Sequence, residues 1–389
     1  MKIAYLTTTP LPSEKANIIQ SVEVCKALTQ LGAEVDFFCP RASPDSTDFE
    51  AISYLEGFFG ERLPFRIHFS PYRTFKGRFG ALLSIPWLLR KAYTAANYDY
   101  YYIRNSYLLC LMSLLPRPLI FEQHQWNSYV HPRLSSLVRY CTLVGGKRSS
   151  CRLFICISEE LRKRWVNKGI QAEKTLTAHD AVNLDAFTPM ISKTNARRAL
   201  RLKDDRVIVA YVGSLYSNRA IKDIIQAARI MPDVLFQLVG GPESEKKKLE
   251  ARAREEGIGN TSFTGRVSRK RLPWHLFASD VLLFTVNEQT LTFDICSPMK
   301  IFEYMAAARI IVAPDLPNVR EVLKTSYSFL YTFPEERSLH DCIRVAIRAV
   351  KNGKSEEIGL MAREAVEKGN TWEIRMGNII NELNKSHRL

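Results

Sequence analysis

The sequence predicts an α/β protein built as two doubly wound, Rossmann-like domains that face each other across a cleft. Three observations lead there. Short apolar segments rich in β-branched and aromatic residues alternate with segments of helical period. The alternation stops around 189–195 and then starts again. The 389 residues also exceed one domain of roughly 150 residues and suit two sizeable cores.

Taken in order, IAYLTT is a first strand and a polar loop with Pro10, Pro12, Ser13 and Asn17 follows. Val22, Cys25, Leu28 and Leu31 then recur at helical spacing up to Gly32, and EVDFFCP is a second strand. Further strands are expected at YDYYYIRN, PLIFEQH and CRLFICIS, each separated by enough chain for a crossover helix. The second series runs VIVAYVG, IKDIIQAARIM, VLFQLVGG, a charged helix, TSFTGRV, a helix around 272–277, DVLLFTV, KIFEYMAAA and RIIVAPD. The last helical stripe, Trp372, Met376, Ile379, Ile380 and Leu383, follows Gly369-Asn370 and is free to cross back. The expected organisation is 1–188, 189–370, and a helix 371–389 packing on the first domain.

Composition removes several classes. At 46% hydrophobic residues the chain is no disordered segment. Its densest apolar stretch, LLCLMSLLP, is far shorter than the roughly 20 residues of a spanning helix. The start has no h-region and reads as a mature cytoplasmic one. Eight scattered cysteines read as reduced core thiols, and seven scattered histidines offer no metal site. The formal charge of +15 is uneven, with eight Lys/Arg in 62–104 and nine in 133–168. An anionic partner is therefore expected. The stretch YRTFKGRFGALLSIPWLLRKAY suits an interfacial helix on anionic lipid, so peripheral attachment to the inner face of the membrane is one expectation. No nucleic-acid module is present.

GxGxxG and GxxxxGK[ST] are missing, so nicotinamide and P-loop chemistry are set aside. Ligands of open α/β sheets sit beyond the carboxyl ends of the strands, which singles out the loops after IAYLTT, PLIFEQH, AYVG, SFTGRV and LLFTV. Ser297-Pro298-Met299-Lys300 opens the KIFEYMAAA helix, where backbone N–H groups, a hydroxyl, the helix dipole and a full charge suit a diphosphate.

The segment SPMKIFEYMAAARIIVAPDLPNVREVL resembles the sugar-nucleotide-binding region of retaining GT-B glycosyltransferases of the large family 4 group. Order-preserving similarities extend over nearly the whole chain, at LTTTPLPSEKANIIQSVEVCKAL, ISEELRKRW…AHDAVNLDAFTP, AYVGSLY and FTGRVSRKRLPWHLFASDVLLF. The resemblance implies a GT-B fold and transfer of a sugar from a nucleotide diphosphate sugar to a hydroxyl of a glycan, a lipid-linked or another cell-envelope acceptor. The nucleotide sugar is a co-substrate; no cofactor and no metal are expected. It places Glu303 on the ribose hydroxyls, Arg219 and Lys300 on the diphosphate, Gly213 and Ser214 in the phosphate loop, and Arg266 near the base. Ser297, Pro298, Met299 and Ile301 complete the donor pocket. Ser214 stands where relatives commonly carry an Arg. Ile295 stands where they carry the first acid of an E-x7-E pair, leaving neighbouring Asp294 as substitute toward the sugar. In the first domain the resemblance implies contact of His124 with the reacting sugar. Glu122 lies two residues earlier on the same strand face. Asn17 either donates through its amide or caps the following helix. The alternatives are a sugar-nucleotide epimerase on the same fold or a non-catalytic membrane-surface relative.

Overall fold

The computed structural model describes residues 1–42, 47–70, 84–94, 98–127, 132–202 and 206–386. The chain divides into two compact units, Met1–Asp180 with Trp372–Leu389, and Ala181–Thr371.

The first unit holds a seven-stranded sheet of β1 (Lys2–Leu6), β2 (Glu34–Cys39), β3 (Arg66–Phe69), β4 (Tyr100–Ile103), β5 (Leu119–Gln123), β6 (Cys151–Cys156) and β7 (Thr175–Thr177). Their order in space is β3-β2-β1-β4-β5-β6-β7, and every pairing is parallel. In β4 and β5 every residue is buried, because helices cover both faces of a parallel sheet. Tyr5 stacks on Phe37 and on Tyr102, with ring centroids 5.1 and 5.0 Å apart, tying three neighbouring strands together. The strand order reverses between β1 and β4, so the loops after β1, β4 and β5 open at the switch point.

The second unit repeats the plan with β8 (Ile208–Val212), β9 (Leu235–Val239), β10 (Thr261–Gly265), β11 (Val281–Leu283), β12 (Ile310–Pro314) and β13 (Ser328–Tyr331). Its order is β10-β9-β8-β11-β12-β13, again all parallel, with the switch point between β8 and β11. One face packs on a core that includes Phe277, Phe302 and Met305. The other, which carries Phe236, packs on Ile224 and Ile343.

Ten strands lie where the apolar runs predict them. β3 (RIHF), β7 (TLT) and β13 (SFLY) carry no such signal, being short and interrupted by polar residues. β3 is instead fixed by charge: Arg66 and His68 both bond Asp36 on β2, at 2.8 and 2.7 Å.

The first unit ends at Asp180, eight residues before the expected boundary at 188. Residues 181–188 belong to the second unit because the Val182 N–H bonds the Asn370 carbonyl at 3.0 Å and Phe187 packs on Phe277. The C-terminal helix, Trp372–Ser386, belongs to the first unit, with Trp372, Met376, Ile379 and Leu383 buried there. All eight cysteines are free thiols, five of them buried.

Part of the stretch expected to form an interfacial helix is described: Leu89 is half-buried and Tyr93 67% exposed. The Ile85–Thr94 helix spends its large apolar residues Trp87 and Leu88 on the core beneath β2, with Trp87 6.1 Å from the Phe38 ring. Those side chains are unavailable to lipid. Arg73, Phe75, Lys76, Arg78 and Phe79 lie outside the described residues. No helix among the described residues is long and apolar enough to cross a membrane.

Candidate active site

In the second unit three loops are laced at the carboxyl edge. The Gly213 N–H bonds Val239 O, the Leu215 N–H bonds Gly241 O, and the Gly240 N–H bonds Gly265 O, all at 2.8 Å. Gly213 and Gly240 sit at φ +153° and +144°, which side-chain-bearing residues rarely adopt. A Cβ on Gly240 would lie 1.7 Å from the Gly213 carbonyl oxygen, and one on Gly213 would lie 2.5 Å from Lys300 Nζ. The two glycines let the loops close under Lys300.

Lys300 is the second residue of the Met299–Ala306 helix. Its ammonium donates to Tyr211 Oη at 3.1 Å and stands 4.3 Å from that ring's centroid. Burial and the neighbouring Arg219 push its pKa down to about 7, against the opposing pull of Glu303. Arg219 closes the short turn Ser217–Arg219, which loop residues beyond β11 hold by its carbonyls. Thr285 donates to Arg219 O, Thr290 to Asn218 O and Asn287 to Ser217 O. Asn287 therefore shapes the turn that carries the cation. One turn beyond Lys300, Glu303 lies 3.6 Å from Arg269, a half-buried pair.

Lys300, Arg219, Glu303 and Gly213 thus gather at one edge. Ser214 joins them through its carbonyl, which accepts from Tyr211 Oη at 2.9 Å. The Arg266 side chain lies over Gly241, where a Cβ would come within 2.9 Å of its Cγ. Ile301 departs from the expectation: its side chain is in the core and its N–H is already bonded to Pro298 O at 3.0 Å. Helical period turns that position inward. Ser297 is also buried, one residue before Pro298, the N-cap of the helix. Pro298 and Met299 stand half-buried at the helix start. Ile295 is fully buried, so the position of the family's first acid faces the core here, and Asp294 beside it is half-buried.

In the first unit, Glu122 is the fourth residue of β5 and His124 follows the strand end. His124 Nε2 lies 2.5 Å from Glu122 Oε1. The same oxygen is 3.2 Å from Arg375 on the C-terminal helix, and Tyr102 donates to the other carboxylate oxygen. Burial opposes the Glu122 charge, but Arg375, His124 and Arg104 outweigh it and hold the carboxyl well below its usual range. Burial and the Arg104 cation bring His124 down to about 4, overriding Glu122. Arg104 bonds Gln20 Oε1 at 2.7 Å, Asn17 O at 2.9 Å and Ser21 Oγ at 3.1 Å. Gln20 donates to Asp180, whose pKa burial raises to about 7.

Asn17 does not cap. The Ala16–Gln30 helix has Lys15 at its N-cap without a side-chain bond, and Asn17, inside the first turn, donates to Thr9 Oγ1 at 2.8 Å. Sequence reasoning did not name Tyr211, Arg269, Arg104, Asp180 or Arg375. For Arg375 a signal existed: it lies three residues after Trp372 and four before Ile379, a charge within an apolar stripe.

Two parallel sheets flanked by helices, with a polar cluster at each switch point, define a GT-B-type α/β protein. The description Glycosyltransferase Family 4 matches residues 20–186, and Glycosyl transferases group 1 matches residues 192–358. The chain belongs to the group 1 glycosyltransferases.

Over 109 residues, 27% of the chain, it is 33% identical to a D-inositol 3-phosphate glycosyltransferase of Mycobacteroides abscessus. Over 182 residues, 46% of the chain, it is 24% identical to TuaH of Bacillus subtilis, a glycosyltransferase whose name places it in teichuronic acid biosynthesis. These stretches span 24% and 44% of the two relatives, so the chain spans less than half the length of the curated relatives it matches. The fold is that of Anabaena Alr3699/HepE in complex with UDP, with a TM-score of 0.77 at 18% identity over 99% of this chain and all of that one. Sucrose-phosphate synthase of Thermosynechococcus elongatus has the same TM-score, identity and coverage.

Proposed function

We propose that the chain is a retaining glycosyltransferase that moves a sugar from a nucleotide diphosphate sugar to a hydroxyl of a cell-envelope glycan or lipid-linked acceptor. The observation that carries this reading is Lys300, held over Tyr211 beside Arg219 at a helix start, with Glu303 one turn further on. Two cations at a helix N-terminus suit a departing diphosphate, and a carboxylate at that distance suits the ribose hydroxyls.

In this reading the bond from the anomeric carbon to the diphosphate oxygen breaks, and the electron pair leaves with the diphosphate. Lys300, Arg219 and the helix start stabilise that charge, which is the largest expected contribution. The acceptor hydroxyl bonds the same face of the anomeric carbon and its proton passes to the departing diphosphate. No metal is needed in this scheme, because the chain's own cations meet the charge. The family resemblance assigns His124 to contact with the reacting sugar. The complexes with UDP and UDP-glucose of the Anabaena protein support a nucleotide-sugar donor, and the name of the Bacillus relative supports a cell-envelope acceptor. An inner membrane surface is where a lipid-linked acceptor would be met.

Thermal shift against UDP-, GDP- and ADP-sugars identifies the donor. Calorimetry then tests the site: Glu303→Ala and Arg219→Ala are expected to abolish donor binding, and unchanged affinity in both overturns the assignment. NMR of the product should show the donor's anomeric configuration. Release of an epimerised sugar nucleotide without a glycoside would favour the epimerase instead.

A further inference from the structure

We infer that Arg375, carried by the C-terminal helix, is a positioning residue that fixes which ring nitrogen of His124 bears the proton and so presents His124 to the sugar as a hydrogen-bond acceptor. The inference rests on the reading of His124 as the residue that touches the sugar.

Glu122 receives three donors. Oε1 lies 2.5 Å from His124 Nε2 and 3.2 Å from Arg375 Nη2, and Oε2 accepts from the Tyr102 hydroxyl. Arg375 has no acceptor lone pair, so a proton on Oε1 would point at a cation. With Glu122 ionised, the 2.5 Å contact requires the Nε2–H form of the ring, and in a neutral imidazole the other nitrogen, Nδ1, is then an acceptor.

The charged and titratable groups described around Glu122 come from several elements, while β6 places the apolar Ile155 opposite it. Tyr102 comes from β4 and Arg104 from the loop after it; Tyr5 comes from β1, Asp180 from the chain after β7, and Arg375 from the C-terminal helix. Among the described residues, the arginine within 4 Å of the carboxylate is Arg375; Arg104 acts from further off, bonded to Asn17, Ser21 and Gln20. Arg375 is itself fixed, donating from Nε to His179 O at 2.7 Å and from Nη2 to Ala178 O at 3.2 Å, and it is 4% exposed. Without it, burial would drive a proton onto Glu122, which could then donate to Nε2 and leave the proton of the ring on Nδ1. His124 would offer a donor where it had offered an acceptor. The low pKa of His124 agrees with a ring that stays neutral throughout the working range.

The test uses the full chain with 15N-labelled histidine, His124 being assigned by its loss in His124→Gln. In the unmodified protein at pH 7 the ring-nitrogen shifts should report the Nε2–H form and hold it to about pH 5. The Nδ1–H form in the unmodified protein overturns the inference without any variant. Arg375→Lys should keep the Nε2–H form and most activity. Arg375→Met should switch to Nδ1–H and lower kcat by 10- to 100-fold, with donor affinity by calorimetry unchanged within twofold. An unchanged tautomer in a folded Arg375→Met protein also overturns it. His124→Ala separates this from the reading beneath it. Full transfer by His124→Ala removes the sugar-contact role and leaves the tautomer result intact. Loss of transfer there, with tautomer unchanged in Arg375→Met, removes the inference alone.

Discussion

At the carboxyl edge of the first sheet the buried charges are settled against one another. Glu122 meets Arg375 and His124, Arg104 is spent on the Ala16–Gln30 helix, and burial favours a proton on Asp180. At the corresponding edge of the second sheet, Lys300 and Arg219 oppose each other, and Glu303, which favours the Lys300 charge, also faces Arg269. The contrast teaches that one topology serves two electrostatic purposes. At the first edge the Glu122 carboxylate is paired within its own unit, with Arg375 and His124. At the second, the Lys300 and Arg219 cations oppose each other, so in the proposed reading an arriving anion relieves them.

The sharpest way to break that comparison is Lys300→Ala. If positive charge at the second edge is what the diphosphate meets, kcat/KM should fall by roughly 10²- to 10³-fold, as when one preorganised electrostatic donor is lost. A loss under threefold in steady-state kinetics would mean that the second edge does not await an anion.

Next in size is the pH dependence of donor binding. The Lys300 pKa near 7 must rise when a diphosphate arrives, so binding takes up a proton above neutrality. Affinity should be flat below about pH 7 and weaken above it by up to about tenfold per pH unit. Calorimetry in two buffers of different ionisation enthalpy measures the uptake, and the Lys300→Ala protein should show none of it.

A smaller effect sharpens the first edge. Asp180 has its folded pKa raised to about 7, above the unfolded value near 3.9, so between those values the folded state holds more protons than the unfolded one. Its contribution to stability therefore falls as pH rises from about 4 to 7, by at most about 1.4 kcal/mol per unit. Asp180→Asn should flatten the curve over that window in denaturant titrations, and an unchanged slope would show that Asp180 is already ionised.

The smallest effect concerns the surface. The Ser135–Lys147 helix leaves Leu137 and Tyr140 47% and 64% exposed in the basic 133–168 stretch. Sedimentation with vesicles containing anionic lipid should exceed that with neutral vesicles by a few-fold, and Arg133→Glu with Arg148→Glu should erase the difference.

How far the sequence could be read differs between fold and site. Long apolar runs such as VIVAYVG and RIIVAPD announced their strands because strands buried on both faces must be apolar throughout. SFLY and RIHF did not, since edge pairing asks little of a short segment. The places of Lys300 and Glu303 on a helix and of His124 after a strand end were legible, because the apolar runs that mark those elements also mark where they begin and stop. The burial of Ile301 and Ser297 was not legible: a motif gives spacing along the chain, whereas which of its members face the core is settled by the helix period and by packing at the helix start.

By itself the sequence determined two parallel α/β units, their approximate limits and the strand-end and helix-start residues, since period and composition are local properties. Only the tertiary structure decided what surrounds each charge. Arg375 and Glu122 come from the two separate segments of chain that make up the first unit, yet the fold brings them to 3.2 Å from each other. Burial and counter-charge arise from packing between distant segments, and these set whether Lys300 is charged, whether Asp180 holds a proton and which way His124 presents its ring.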